Sequence, residues 1–123
     1  MPEPVDPVSF VYDPFDGPFL DVYGGRLRIS YDGTVSEGRH SLVSGEYDSG
    51  GIVPPHAHPD YDEVFTIIEG DFEFWKDDAW VPVKPGQVVF SQRGVIHGFR
   101  VVGDSIGRLL AFYSPAGFEQ LLP

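Results

Sequence analysis

The chain has 123 residues, enough for one domain with its own core and too few for two. Nineteen acidic and eight basic residues give a net charge of −11, so nucleic acid and anionic membranes, which are bound through clustered Lys and Arg, are excluded as expected partners. The chain has no cysteine, which leaves His, Asp and Glu as its strong metal ligands. Without a long apolar run or a signal-peptide pattern, we expect a cytoplasmic protein.

The pattern along the chain is that of an all-β protein. Residues 1–25 are rich in proline and predict an extended arm with at most edge strands, followed by a single domain over 26–123. Turn residues recur about every 8–12 positions, which favours a sandwich or barrel over βαβ units. Ser114 and Pro115 predict the cap and first residue of a short C-terminal helix. The predicted strands are 26–31, 40–48, 63–68, 71–75, 79–83, 87–91, 96–102 and 108–113.

Two histidines follow a segment that is held extended. The pair Pro54-Pro55 disfavours helix, so His56 and His58, two positions apart, are predicted to leave the same face of the chain. Two imidazoles on one face can bind one metal ion. The remaining histidine, His40, has no second candidate ligand near it in the sequence, so we expect it to be structural.

Two further candidate ligands head apolar rows. Glu63 precedes Phe65 and Ile67 on one face of a predicted strand, and His97 precedes Phe99 in the same way. In a barrel such inward-facing rows fill the interior, and the polar residues at their ends line a pocket at the opening of the barrel. Three imidazoles and one carboxylate suit Fe, Mn, Ni, Cu or Zn and leave one or two positions for water or substrate.

The spacing of these residues resembles the cupin superfamily. Its first motif is matched by Gly50, His56, His58, Glu63 and Gly70, separated by five, one, four and six residues. The second motif is matched in part.

That second motif has Gly86, then Gln92 after five residues, and Gly94 followed after two residues by His97. Cupins usually have proline at the position of Gln92 and asparagine at that of Val101. Neither departure touches the four candidate ligands, so the resemblance covers the whole ligand set.

The resemblance implies a cupin double-stranded β-helix, that is, a jelly-roll barrel, with a short C-terminal helix. It also implies one divalent ion held by His56, His58, Glu63 and His97, and a homodimer in which the arm 1–25 lies across the partner's sheet edge. The segment 114–119 looks like the tail of small single-domain cupins described as quercetin-dioxygenase-like.

Three functions remain open at this stage. The first is a dioxygenase-type oxidoreductase, with Fe2+ favoured over Mn2+, Ni2+, Cu2+, Co2+ or Zn2+ and with Glu63 as ligand and base. The second is a non-redox isomerase, cyclase or decarboxylase with the ion as Lewis acid. The third is a non-catalytic module that holds a metal or a ligand. The expected substrate is a small, partly apolar molecule, aromatic or enolisable, contacted by Phe65, Phe90, Phe99, Phe112 and Tyr61.

Overall fold

The computed structural model describes residues 7–22 and 24–122, which form ten strands and two short helical segments. All eight predicted strands are present. Two further strands, β1 and β4, were not among the predicted runs. The strands are β1 Leu20–Val22, β2 Gly25–Tyr31, β3 Ser41–Tyr47, β4 Ile52–His56, β5 Asp62–Glu69, β6 Asp71–Lys76, β7 Ala79–Val83, β8 Val88–Ser91, β9 His97–Val102 and β10 Gly107–Ser114. The helical segments are α1 Gly33–Ser36 and a 3-10 turn, Phe118–Leu121.

The strands form two antiparallel sheets. The larger has the order β1-β2-β3-β10-β5-β8, and the smaller has the order β4-β9-β6-β7. Each sheet also pairs strands from distant parts of the chain, as in β3 with β10 and β4 with β9. The expected double-stranded β-helix is confirmed.

Strict alternation along the strands produces the core. On β5 the buried residues are Glu63, Phe65 and Ile67, as the sequence predicted, and on β10 every second residue from Gly107 to Tyr113 is buried. Because successive side chains of a strand point to opposite faces, each row turns towards the space between the two sheets. The interior is mainly aromatic, with Phe72, Phe74 and Phe99 packed edge to face or tilted at 5.3–6.2 Å.

The N-terminal segment crosses the outer face of the larger sheet. The hydroxyl of Ser44 donates to the carbonyl of Pro14, and the Arg108 guanidinium lies 5.5 Å from the Phe15 ring centre. The segment then pairs with β2 as strand β1, in line with the expected edge strand. Residues 1–6 of the predicted arm lie outside the described residues.

The C-terminal helix differs from the prediction. Ser114 is the last residue of β10, in register with Asp62, and its hydroxyl donates to the carbonyl of Arg39, so it caps no helix. The helical segment is a single 3-10 turn that begins after Gly117. Sheet pairing extended β10 to Ser114 and displaced the start of the turn. Neither helical segment of the described residues is long and apolar enough for a membrane span.

Candidate metal centre

Three histidines meet at one end of the barrel because two strands bring them together. His56 ends β4 and is paired with His97, the first residue of β9, while His58 follows two residues after β4. One ring nitrogen of each of the three lies within 4.8 Å of those of the other two. The predicted histidine pair and the distant histidine therefore form one cluster.

Each imidazole is held through its Nδ1 atom. His56 Nδ1 lies 2.7 Å from the carbonyl oxygen of Pro54, and His97 Nδ1 lies 3.1 Å from that of Val95. A carbonyl only accepts, so both Nδ1 atoms carry the proton and both Nε2 atoms keep a free lone pair for an ion. These backbone partners are the outer-shell contacts that orient metal-bound histidines.

The third imidazole has a side chain as its partner. The Tyr61 hydroxyl lies 2.9 Å from His58 Nδ1 and can donate or accept there. Ligation through Nε2 requires that Nδ1 carry the proton and donate to the tyrosine oxygen. Tyr61 therefore orients a ligand.

Glu63 closes the cluster from β5. Its Oε1 lies 3.2 Å from His58 Nε2, and its Oε2 lies 3.1 Å from His97 Nε2. The residue is 2% exposed, and among the described residues Glu63 Oε1 and His97 Nε2 are buried without a hydrogen-bond partner. Buried polar atoms nearly always have a bonding partner, so these two unpaired atoms indicate a site for a further bound group.

A divalent ion fits this donor set. Metal bonds to nitrogen and oxygen of about 2.1 Å place two ligands at right angles about 3.0 Å apart. The 3.1 and 3.2 Å separations between carboxylate oxygens and Nε2 atoms agree with that spacing. His56, His58, His97 and Glu63 are thus the residues that would hold the ion.

The histidines differ in their electrostatic surroundings. Burial lowers the pKa of His58, and the charge of Glu63 offsets this only in part. Burial also acts to lower the pKa of His97, but the adjacent Glu63 carboxylate outweighs it and raises that pKa. A proton therefore competes with a metal ion more strongly at His97 than at His58.

A cavity of about 310 Å³ lies between the two sheets beside this cluster. The four candidate ligands form part of its wall. Among the described residues that line it, the others are uncharged and mostly apolar: Leu27, Val43, Gly45, Tyr47, Val53, Pro54, Pro55, Phe65, Phe99, Leu109, Ala111, Tyr113 and Phe118. Its size and lining are those of a site for a small, largely apolar molecule.

The predicted substrate contacts divide into two groups. Phe65 and Phe99 line the cavity. Phe90 does not, because alternation on β8 turns it outward, where it is 63% exposed. Phe112 lies on the outer face of β10, stacked on His40, and Tyr61 lies behind His58 outside the cavity wall. None of these three residues lines the cavity, in contrast to the expectation from the sequence.

Three aromatic wall residues were missed from the sequence. Tyr47 is on β3, Tyr113 on β10 is in register with Glu63, and Phe118 stacks on Tyr113 with ring centres 4.5 Å apart. The alternation of β10 was a usable signal for Tyr113, because it shares a face with Leu109 and Ala111. The sequence pattern did not allow Phe118 to be predicted as a wall residue, since its position depends on how the C-terminal turn folds back.

The sequence profile of the cupin domain family matches residues 43–113, which include all four candidate ligands. The chain therefore belongs to the cupin family.

Similar proteins confirm the fold. A predicted oxalate decarboxylase from Thermotoga maritima has a TM-score of 0.79 at 19% identity, covering 86% of this chain and 99% of the other. The polyketide cyclase RemF from Streptomyces resistomycificus has a TM-score of 0.75 at 24% identity, covering 87% and 80%. KdgF from Halomonas sp. has a TM-score of 0.75 at 19% identity, covering 85% and 93%.

One protein of Aquifex aeolicus, named only as uncharacterized, is 31% identical over 62 residues. The match spans 50% of this chain and 50% of that protein's length. These proteins differ in their named activities, so they support the fold and leave the reaction to be argued from the site.

Proposed function

We propose that the protein is a metal-dependent enzyme that acts on a small, uncharged, partly apolar substrate, and that its reaction is oxygenation. The observation that carries the proposal is the convergence of three imidazoles and a carboxylate on the wall of an otherwise uncharged cavity. The ion favoured for this reaction is Fe2+.

The composition of the cavity argues for the substrate class. No Lys or Arg is among the described residues that line it, so a substrate carboxylate would have only the ion and the histidines to compensate its charge. An apolar molecule with an oxygen that reaches the ion gains from burial against Phe65 and Phe99. The named substrates of the similar proteins range from oxalate to polyketides, and this cavity favours the apolar end of that range.

The chain's own residues supply orientation, a dry site and a base. Phe65 and Phe99 hold the substrate body beside the cluster and exclude water. Glu63 Oε1, which has no hydrogen-bond partner among the described residues, is placed to accept the proton of a substrate hydroxyl or enol. A bound ion would supply one-electron chemistry with oxygen or, if redox-inert, polarisation of a carbonyl.

A second candidate function is a non-redox cyclisation, isomerisation or decarboxylation at the same site. The likeness to a polyketide cyclase, at 24% identity over most of both chains, favours it over a purely binding role.

The deciding experiment is turnover with and without oxygen. Protein reconstituted separately with Fe(II), Mn(II), Co(II), Ni(II), Cu(II) and Zn(II) is tested against a panel of phenols and β-diketones, with oxygen uptake and product analysis as readouts. Oxygen uptake that depends on substrate supports the oxygenase, and equal turnover under strict anaerobiosis supports the non-redox reaction.

The matched control is His97→Ala, which removes a ligand and should abolish both signals. Protein that retains its ion and turns over no member of the panel, with or without oxygen, contradicts both enzymatic functions and leaves a binding module.

A further inference from the structure

Tyr47 lies in the barrel interior as a rigid part of the cavity wall. The residue is 3% exposed, and its ring meets Phe99 edge to face at 5.1 Å. Two glycines make room for it, Gly25 and Gly45. A Cβ at Gly45 would lie 2.7 Å from Tyr47 Cε2, and one at Gly25 would clash with the opposite ring edge.

The hydroxyl of this tyrosine lies over Gly45 within the interior. A Cβ at Gly45 would be 3.0 Å from the hydroxyl oxygen, and both residues line the cavity. Within residues 7–22 and 24–122 no hydrogen bond to this hydroxyl is present, and it borders the cavity rather than belonging to the fully enclosed unpaired atoms of the interior. A tyrosine hydroxyl in a protein interior usually finds a partner, so an acceptor atom of a molecule in the cavity would complete its hydrogen bonding.

Burial also determines the chemical form of this hydroxyl. It raises the pKa of Tyr47 well above the usual value for a phenol, so the group stays protonated and can donate a hydrogen bond. Because no charged side chain other than the metal-site cluster lines the cavity among the described residues, the group is suited to an uncharged acceptor.

The hydroxyl and the metal centre lie at different depths of the barrel. Gly45 is in register with Leu109, and Leu109 with Ile67, which is four residues along β5 from Glu63. At about 3.3 Å per residue, the hydroxyl lies on the order of 10 Å deeper than the carboxylate. A molecule that spans the cavity meets the ion ligands at one end and Tyr47 at the other.

We infer that Tyr47 is the second anchor of the substrate and determines its class. The substrate is an apolar framework with two separated oxygen functions, one at the ion and one uncharged carbonyl, ether or hydroxyl oxygen that accepts a hydrogen bond from Tyr47. The assignment of the first oxygen rests on the proposed function, whereas the hydrogen bond to Tyr47 is independent of it.

The test compares two probes on the metal-loaded protein. One is a β-diketone with a 4-acetylphenyl group, and the other is the same diketone with a plain phenyl ring. Tyr47→Phe should bind the acetylated probe about tenfold more weakly than wild type, and the plain probe within about twofold, as measured by calorimetry. Tyr31→Phe, which removes a hydroxyl outside the cavity, is the matched control and should change neither.

A second pair of probes removes the dependence on the ion. Acetophenone and α-methylstyrene have the same shape, but only the ketone accepts a hydrogen bond, so ion-free wild type should prefer the ketone and Tyr47→Phe should not. If elemental analysis finds no bound ion while this preference persists, the proposed function fails and the Tyr47 anchor stands. Equal affinities of wild type and Tyr47→Phe for both carbonyl probes, or no binding of any probe, overturn the inference.

Discussion

Two glutamates of this protein are almost fully buried, and their surroundings differ in kind. Glu46, on the outward face of β3, is 5% exposed, and Glu63, on the inward face of β5, is 2% exposed. Glu46 contacts the guanidinium groups of Arg28 and Arg108, the latter at 2.8 Å. Glu63 contacts only imidazole nitrogens among the charged or ionisable groups recorded around it.

The difference shows which buried charge is structural. Around Glu46 the arginines supply the compensating charge, and the N-terminal segment covers the cluster, since Arg28 also donates to the carbonyl of Gly17. Among the described residues no Lys or Arg pairs with Glu63, and its Oε1 has no hydrogen-bond partner there. A buried charge needs a partner, so the first site is complete in the protein alone, whereas the second is suited to a bound cation.

The largest effect is expected from His58→Ala. Loss of one of four ligands should lower the affinity for divalent ions by about 1,000-fold or more, while the melting temperature of the ion-free protein changes little, because the β-core does not depend on this side chain. Metal titration and elemental analysis measure the first effect, and calorimetry in chelator the second. A variant that keeps the parent's metal content would show that the cluster is not the metal centre.

Glu46→Ala should have the opposite pattern of effects, with a loss of stability and no change in metal affinity. It leaves Arg28 without a carboxylate partner and Arg108 with Glu69 alone, and should lower the free energy of unfolding by about 3 kcal/mol, as measured by urea denaturation. Metal affinity should stay at the parent value. If metal binding fell together with stability, the two regions would not be independent.

Glu63→Gln is the counterpart at the metal centre. The change should weaken metal binding by about 10- to 100-fold, since an amide oxygen is a poorer ligand than a carboxylate. The stability of the ion-free protein should fall by less than about 1 kcal/mol, because no arginine is left unpaired. Glu46→Gln is its control and should affect stability alone. A large loss of ion-free stability in Glu63→Gln would mean that this carboxylate is structural as well.

The smallest expected effect is the change in folding stability in acid, which depends on the protonation of Glu46. Burial acts to raise the pKa of Glu46, but the hydrogen bonds and charges of Arg28 and Arg108 outweigh it, so the pKa is below its usual value of 4.5. A carboxyl with a lowered folded-state pKa stabilises the protein above pH 4.5, and this contribution is lost as the pH falls through the folded value.

Urea denaturation of the ion-free protein between pH 6 and pH 3 should therefore show a loss of stability in acid that is smaller in Glu46→Gln. Identical pH profiles of the two proteins would contradict the role of this ion cluster.

The sequence was sufficient for much of the fold and for the ligands. Alternation predicted the inward row of Glu63, Phe65 and Ile67, and motif spacing identified His56, His58 and His97. Both signals are local, because the two-residue period of a strand and the extended form of a Pro-Pro segment follow from backbone geometry. The cavity-lining aromatic residues were harder to predict. Alternation on β10 favours Tyr113 over Phe112, but β8 has apolar residues on both faces, so its pattern does not show which way Phe90 points.

By itself, then, the sequence determined that this is an all-β cupin with four potential ligands, because period, turn chemistry and spacing are properties of neighbouring residues. Only the tertiary structure decided how those ligands are used. Pro54, Val95 and Tyr61 orient the three imidazoles, and Tyr47 forms part of the cavity wall. Three arginines pair with Glu46, whereas among the described residues no arginine pairs with Glu63. The imidazole contacts are local, since each partner lies two or three residues from its histidine. The four ligands and the Glu46 cluster join residues distant in the chain, so they come together only once the strands have paired and the sheets have packed.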